Sequence, residues 1–384
     1  MTSAGRVPEI TPEELIREIE TGGAIQVLDV RAPHRLESGY IDLLPEDRFF
    51  NMAGSKIVAL DDVAELGIAK DRPVAVVCGH GNSSKNITTF LEERGYLARS
   101  VRGGMAAWMN SAYPRPLPAP TGFDHLIQYD RVGKGSLAYL LISDGKALVI
   151  DPARNWQIYV DAAADLDAKI VAVADTHVHA DYISGASDMA KSLKITYYMH
   201  PEDNSHVYEG TPGKLDITPV DDGMQIEIGR GAIAAFHTPG HTLGSTTFLV
   251  SETAAFSGDF LFVKSIGRPD LGGQVDPWSA ILWKSVVRAK ETLPADIMIY
   301  PAHYSSDSER QDDRSIGATF EAICQSTAPL RIQTEEEFTG WVKSHVSSFP
   351  EAYRKIKVIN VGLLEVTPEE AEELEVGKSE CAVA

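Results

Sequence analysis

The chain has 384 residues, beyond the size at which a single hydrophobic core usually keeps growing, so two domains are expected. Lysine and arginine number 35 against 55 aspartate and glutamate, a formal charge of −20, and no basic cluster is large enough to track a polyanion, which excludes nucleic acid and an anionic membrane as partners. Three cysteines with no Cys-x-x-Cys pair argue against a disulfide scaffold; with neither a signal-peptide pattern nor an apolar run of roughly 18 residues, a cytoplasmic chain without a membrane span is expected.

In chain order, Thr11-Pro12-Glu13-Glu14 opens a helix, with a hydroxyl cap, proline at the first helical position and an acidic first turn; Leu15, Ile16 and Ile19 form its buried face. Apolar runs at 24–30 and 73–77 read as strands, and 63–66 and 84–94 as helical, which predicts a small α/β domain with a parallel sheet. The second run delivers Cys78 to the loop Gly79-His80-Gly81-Asn82-Ser83-Ser84, followed by a helix from near Lys85. A thiol at a strand end, facing loop amides and a helix N-terminus, gains thiolate character and a site for an anionic adduct, so Cys78 is a candidate nucleophile; the competing reading is a buried structural cysteine.

Asp29-Val30-Arg31, Glu37-Ser38-Gly39-Tyr40-Ile41, the Cys78 loop, and Val101-Arg102-Gly103-Gly104 leading to Trp108 resemble, in sequence and order, a rhodanese domain over about residues 8–112. The resemblance implies that Cys78 carries a sulfane sulfur as a persulfide. Ser83 stands where the family usually has an arginine and Tyr40 where it often has a histidine; Lys85 is the nearest replacement cation, and the side-chain grip on thiosulfate or sulfite is expected to be weaker. Prolines at 114, 116, 118 and 120 then predict an extended spacer, dividing the chain into a domain at 1–112, a linker at 113–121 and a second domain at 122–384.

The second domain reads as short apolar strands broken by Gly, Asp and Pro, with a hairpin turn at Ser143-Asp144-Gly145-Lys146. The run 170–174 ends in Thr-His-Val-His-Ala-Asp-Tyr, placing His177, His179 and Asp181 on a strand-to-helix turn before a helix expected at 183–193. His241 follows the run 232–236 in a tight Pro-Gly turn, Asp259 the run 254–257, and His303 the run 297–300. Imidazoles and carboxylates gathered at one edge of a β scaffold suit zinc, iron or manganese.

THVHAD, TPGHT, SGD and YPAH, in that order, are similar to the metallo-β-lactamase superfamily over about residues 123–360, which implies an αββα sandwich with metal at one sheet edge. Gly258-Asp259, Ile266-Gly267-Arg268-Pro269-Asp270-Leu271 and Tyr300-Pro301-Ala302-His303 most resemble its persulfide dioxygenases, related to glyoxalase II. That resemblance implies one Fe(II) per chain held by His177, His241 and Asp259, oxidising glutathione persulfide with O2 to sulfite and glutathione. Two histidines and one carboxylate leave positions for both substrates, with His179, Asp181, Tyr182 and His303 in outer roles.

Tyr182 takes a position where binuclear relatives, and commonly the dioxygenases too, have a histidine; a phenol is a poor ligand at neutral pH, which favours one metal. Arg268 is placed to pair with a substrate carboxylate, and Arg354, Lys355 and Lys357 to line a pocket rim. Beyond 315 the chain reads as helical, with Cys324 in a core, an acidic and mobile tail, and Cys381 incidental. Fused to the oxygenase, the rhodanese domain would either load glutathione with sulfur or convert sulfite to thiosulfate. The rival readings are a zinc thioester hydrolase of the glyoxalase II type and a non-enzymatic sulfur-relay or sensing protein; a homo-oligomer is compatible with either.

Overall fold

The computed structural model describes residues 7–383; residues 1–6, part of the stretch read for a signal peptide, and residue 384 of the tail lie outside the described residues. Two compact units divide it: residues 1–113 with 131–134 and 376–378, and residues 114–130, 135–375 and 379–384.

The first unit is built on β1 (Glu9–Ile10), β2 (Gln26–Asp29), β3 (Phe49–Asn51), β4 (Pro73–Val77) and β5 (Leu97–Val101), parallel in the order β1-β5-β4-β2-β3. The unbroken apolar run of β4 is the signature of a strand covered on both faces. Ala75 and Val77 join a cluster with Leu15, Ile16 and Ile19 of α1 (Pro12–Glu20), while Val74 and Val76 face a second cluster on the other side. That second layer uses Ile57 of α2 (Gly54–Ile57) and Ile87 and Leu91 of α3 (Ser83–Glu92); α4 (Gly104–Asn110) adds Met105 and Trp108 to the first. Thr11 and Glu14 close a capping box on α1, as the sequence predicts.

In the second unit, seven strands form one sheet: β6 (Tyr113–Leu117), β7 (His125–Arg131), β8 (Ser136–Ser143), β9 (Lys146–Ile150), β10 (Lys169–Ala174), β11 (Thr196–Met199) and, beyond the short hairpin β12 (Ser205–His206) and β13 (Thr211–Pro212), β14 (Thr218–Pro219). A six-stranded sheet follows: β15 (Gln225–Ile228), β16 (Gly231–His237), β17 (Thr246–Val250), β18 (Ala254–Gly258), β19 (Met298–Pro301) and β20 (Ala318–Thr319). The sheets share a core in which Tyr139, Leu141 and Leu148 meet Ile233, Phe248 and Phe256. Outside, α5 (Gln157–Asp165) and α6 (Ala186–Leu193) pack on β10. Leu282 and Val286 of α7 (Val275–Thr292) pack on Phe236, Ala255 and Ile299, joined by α8 (Phe320–Ser326) and α9 (Glu335–His345). The result is the αββα sandwich expected. Cys324 sits against that outer helical cluster.

Two expectations are corrected. Residues 113–117 are not spacer but the edge strand β6, where Pro114 and Pro116 point outward and Arg115 and Leu117 inward; an edge tolerates the missing N–H groups of proline. The acidic tail is anchored: α10 (Ala352–Asn360) leads to α11 (Pro368–Leu374), capped by Thr367 and Glu370, and residues 379–383 then lie along the loop 266–268 with Cys381 1% exposed.

Candidate functional site

The ligand-bearing turns are fixed by carboxylates that accept backbone protons. Asp151, at the end of β9 with φ 53, accepts from Thr176 N at 2.7 Å and from Thr176 Oγ1 at 2.9 Å. Because the threonine hydroxyl proton goes to Asp151, Oγ1 accepts from His177 Nδ1 at 2.9 Å, which leaves His177 Nε2 as a bare lone pair. His241 Nδ1 donates to the Arg268 carbonyl at 2.9 Å, so its Nε2 is bare too. His303 Nδ1 donates to Asp259 Oδ1 at 2.6 Å, leaving Oδ2.

These three atoms face one another. Asp259 Oδ2 lies 3.5 Å from His177 Nε2 and 3.3 Å from His241 Nε2, and all three are buried without a hydrogen bond. Burial pushes His241 down to about 3, against the pull of Asp259, so its ring is neutral. Burial alone would raise Asp259, but His303 and His177 outweigh it and hold its carboxyl well below the usual range. Lone pairs converging in a dry interior with no proton between them repel unless a cation sits among them, and cis donors around a small divalent ion stand about 3 Å apart. The residues fit a metal. Gly258 allows the approach: at φ 56, a Cβ there would meet Thr176 Oγ1 at 2.4 Å.

His179 turns away from this group. Its Nε2 lies 2.9 Å from Tyr182 Oη and 3.2 Å from Asp151 Oδ1, with the Tyr182 ring stacked at 4.3 Å. Burial opposes its charge, yet Asp151 and Asp175 prevail and raise it well above an ordinary histidine. Asp181 and His303 form a neighbouring cluster with Cys381, His303 Nε2 being 3.0 Å from Asp181 Oδ2. Burial opposes protonation of His303, but Asp181 and Asp259 raise it to about 9.

Arg268 is not available to a substrate as the sequence suggested. It is 2% exposed, forks onto Asp270 at 2.7 and 2.8 Å, and donates to the carbonyls of Ser347 and Glu380. Of the three cations read as a pocket rim, Lys357 lines a cavity of about 200 Å³ with Val178, His206, Thr242 and Trp278, beside two ligand turns, whereas Arg354 lies over the Tyr208 and Phe349 rings. Burial brings its ammonium down to about 8, although Asp203 pulls upward.

Sequence reasoning missed Asp151, Asp203 and Asn360. Asp203 accepts from Val178 N at 2.8 Å, Thr242 Oγ1 at 2.7 Å and Gly244 N at 2.8 Å, tying the His177 turn to the His241 turn. Asn360 Nδ2 donates to the carbonyls of His179 and Tyr182 at 2.9 and 2.8 Å. Asp151 carried one signal, its place between a strand and Pro152; Asp203 and Asn360 carried none.

In the first unit, Cys78 ends β4 and its Sγ lies 3.2 Å from Ser84 Oγ, itself 2.9 Å from Ser100 Oγ. Burial raises the thiol, but hydrogen bonds from Ser83, Ser84 and the His80 backbone overcome it and lower it below an ordinary cysteine. The loop packs on Gly103-Gly104: Met105 N donates to the Cys78 carbonyl at 2.8 Å, and a Cβ on Gly104, at φ 63, would meet that oxygen at 2.3 Å. Asp29 and Arg31 form a fork, and Arg31 Nη2 also holds the Gly39 carbonyl at 2.8 Å, so that motif is structural. Lys85 does not replace the missing arginine, for its Nζ pairs with Glu9 at 3.0 Å; Tyr40 is exposed against Phe49.

Residues 11–111 match the rhodanese-like domain and residues 131–303 the metallo-beta-lactamase superfamily, and the second stretch carries the residue group that could hold a metal ion. Among curated proteins it is similar to the human mitochondrial persulfide dioxygenase ETHE1, 32% identical over 41% of this chain and 59% of that protein. It is also similar to the hydroxyacylglutathione hydrolase of Francisella tularensis subsp. novicida, 34% identical over 43% of this chain and 61% of that one. The chain thus spans less than two thirds of either. Among solved structures, a metallo-beta-lactamase from Staphylococcus aureus subsp. aureus COL superposes with a TM-score of 0.55 at 28% identity, covering 63% of this chain and 73% of that one. Among the described residues no helix is long and apolar enough to cross a membrane.

Proposed function

We propose that the chain is an iron(II) persulfide dioxygenase of the cytoplasm that oxidises glutathione persulfide, with sulfane sulfur moved by Cys78. The observation that carries the reading is the donor set: two imidazole nitrogens and one carboxylate oxygen, bare and convergent, while His179, the third histidine candidate, is engaged by Asp151 and Tyr182. His177, His241 and Asp259 would hold the metal. Bound there, ferrous iron would supply open positions for a persulfide sulfur and dioxygen and the electrons that activate the latter.

The chain's own groups do the rest. Thr176 and the Arg268 carbonyl fix the tautomers of His177 and His241, and His303 holds Asp259 with one oxygen turned toward the site. Lys357 in the adjoining cavity suits a substrate carboxylate. In balance, one persulfide, one dioxygen and one water give one thiol, one sulfite and two protons. At Cys78 the thiolate would attack the sulfane sulfur of thiosulfate or of glutathione persulfide, breaking that S–S bond and releasing sulfite or glutathione, and hold the sulfur as a persulfide, with Ser83, Ser84 and loop amides in place of an arginine.

Anaerobic metal analysis followed by oxygen-electrode assay with glutathione persulfide tests the proposal: one iron per chain and persulfide-dependent oxygen uptake are expected. The second reading, a zinc thioester hydrolase, is favoured by the likeness to the Francisella hydrolase. Two zinc ions, hydrolysis of a glutathione thioester and inertness toward oxygen would establish it instead.

A further inference from the structure

The strongest feature that this reading leaves unused is the end of the chain. Residues 379–383 lie antiparallel to 266–268: Gly267 bridges Ala382, Arg268 N donates to the Cys381 carbonyl at 3.0 Å, and Val383 N donates to the Ile266 carbonyl at 2.9 Å. Arg268 Nη1 donates to the Glu380 carbonyl at 3.2 Å, and Glu380 N donates to Tyr353 Oη at 2.7 Å. The side chain so delivered is Cys381, packed with Ala180, Phe262, Leu271 and Tyr353.

The Cys381 thiol does not end in an inert pocket. Its Sγ, an Asp181 carboxylate oxygen and a His303 ring nitrogen all lie within 4.8 Å of one another. His303 is buried, its Nε2 3.0 Å from Asp181 Oδ2 while its Nδ1 holds Asp259. The thiol therefore lies against His303, the residue that holds the donor Asp259. The stretch 266–268 that seats the tail also orients a donor, through the Arg268 carbonyl on His241 Nδ1.

The tail also has the residue order of the substrate class proposed, although glutathione joins its glutamate through the γ-carboxyl. Glu380-Cys381-Ala382 is a glutamate, a cysteine and a small residue, as glutathione is glutamate, cysteine and glycine. Arg268, placed by sequence reasoning on a substrate carboxylate, is spent on this segment and on Asp270. We propose, on the basis of the persulfide reading above, that residues 379–383 are an internal stand-in for the thiol carrier: Cys381 fills the sulfur position beside the metal site, and free persulfide or thiol enters by displacing the tail.

Displacement weakens apparent binding by the inverse of the fraction of chains in which the tail is undocked, so a tail docked in nine chains of ten would weaken it about tenfold. The test uses the metal-loaded full chain and plain glutathione, which binds without turnover. Hydrogen–deuterium exchange of the Glu380 and Val383 amides, which the docked tail holds in hydrogen bonds, read by mass spectrometry of the peptide covering 379–383, should be slow alone and about tenfold faster under saturating glutathione. This needs no variant, so a folding defect cannot mimic it. In parallel, calorimetry should show glutathione binding about tenfold more tightly to the chain ending at Lys378 and to Cys381→Ala than to the full chain. Glutathione that binds equally to all three and leaves the exchange of the 379–383 amides unchanged overturns the stand-in while leaving the persulfide reading intact. Absence of glutathione binding in every form overturns both, and oxygen uptake with another low-molecular-weight persulfide would then separate a wrong carrier from a wrong reaction.

Discussion

The two chemical sites of this chain are made in opposite ways. Around Cys78 one strand, one loop and one helix start, contiguous from 73 to 92, present a thiol to serine hydroxyls and amides, with Ser100 and Gly103-Gly104 as distant supports. The metal site is made of side chains from the ends of β10, β16, β18 and β19, and none of its donors is oriented by its own neighbours alone. A contiguous site tolerates loss of one side chain as a change in reactivity, whereas a convergent one loses geometry when a remote anchor goes. The comparison predicts that damage at one site is graded and at the other abrupt.

The largest break should come from His241→Ala. Metal affinity should fall by more than about 100-fold, beyond the range typical of outer residues, and oxygen uptake should vanish while sulfur transfer from thiosulfate is unchanged. Metal analysis and the two assays on one preparation decide this; joint loss of both activities would show that the sites are not independent. Cys78→Ser is the mirror image, with sulfur transfer abolished and oxygen uptake kept. Next comes Asp203→Ala, which strips three buried donors of their acceptor. A stability loss of about 2–4 kcal/mol in urea unfolding and a metal affinity lowered about 10–100-fold are expected, although Asp203 is no donor to the metal.

Smaller effects sharpen the contrast. Because Lys357 titrates at about 8, KM for an anionic persulfide should rise as pH passes upward through that value, its ammonium being charged below and neutral above. Lys357→Met should have the higher KM throughout and lack that rise. The mildest is Ser84→Ala, which removes a hydroxyl that lowers the Cys78 thiol. The midpoint of its alkylation against pH should move up toward an ordinary cysteine, with no change in metal content.

Legibility followed the same division. The Cys78 loop, the parallel sheet around it and the capping box on α1 could be read because each is written in adjacent residues. His177, His241 and Asp259 could be named because glycine and proline turns after apolar runs are local signals, and the resemblance in motif order to a known superfamily joined them. Asp203 and Asn360 could not, since a carboxylate or amide in an irregular stretch looks the same whether it faces water or caps a distant turn.

The sequence by itself determined the two domain types, the strand-end placement of the candidate donors and the departures at Ser83 and Tyr182. Those are properties of hydrophobic period, turn chemistry and residue identity, which are local. Only the tertiary structure decided that His179 faces Asp151 and Tyr182, that Arg268 grips Asp270 and the tail, that Pro114 and Pro116 lie on a sheet edge, and that Cys381 stands beside His303. Each of those depends on which surfaces separated by tens to hundreds of residues are pressed together when the two sheets bury their shared core, and no short stretch of sequence encodes that pairing.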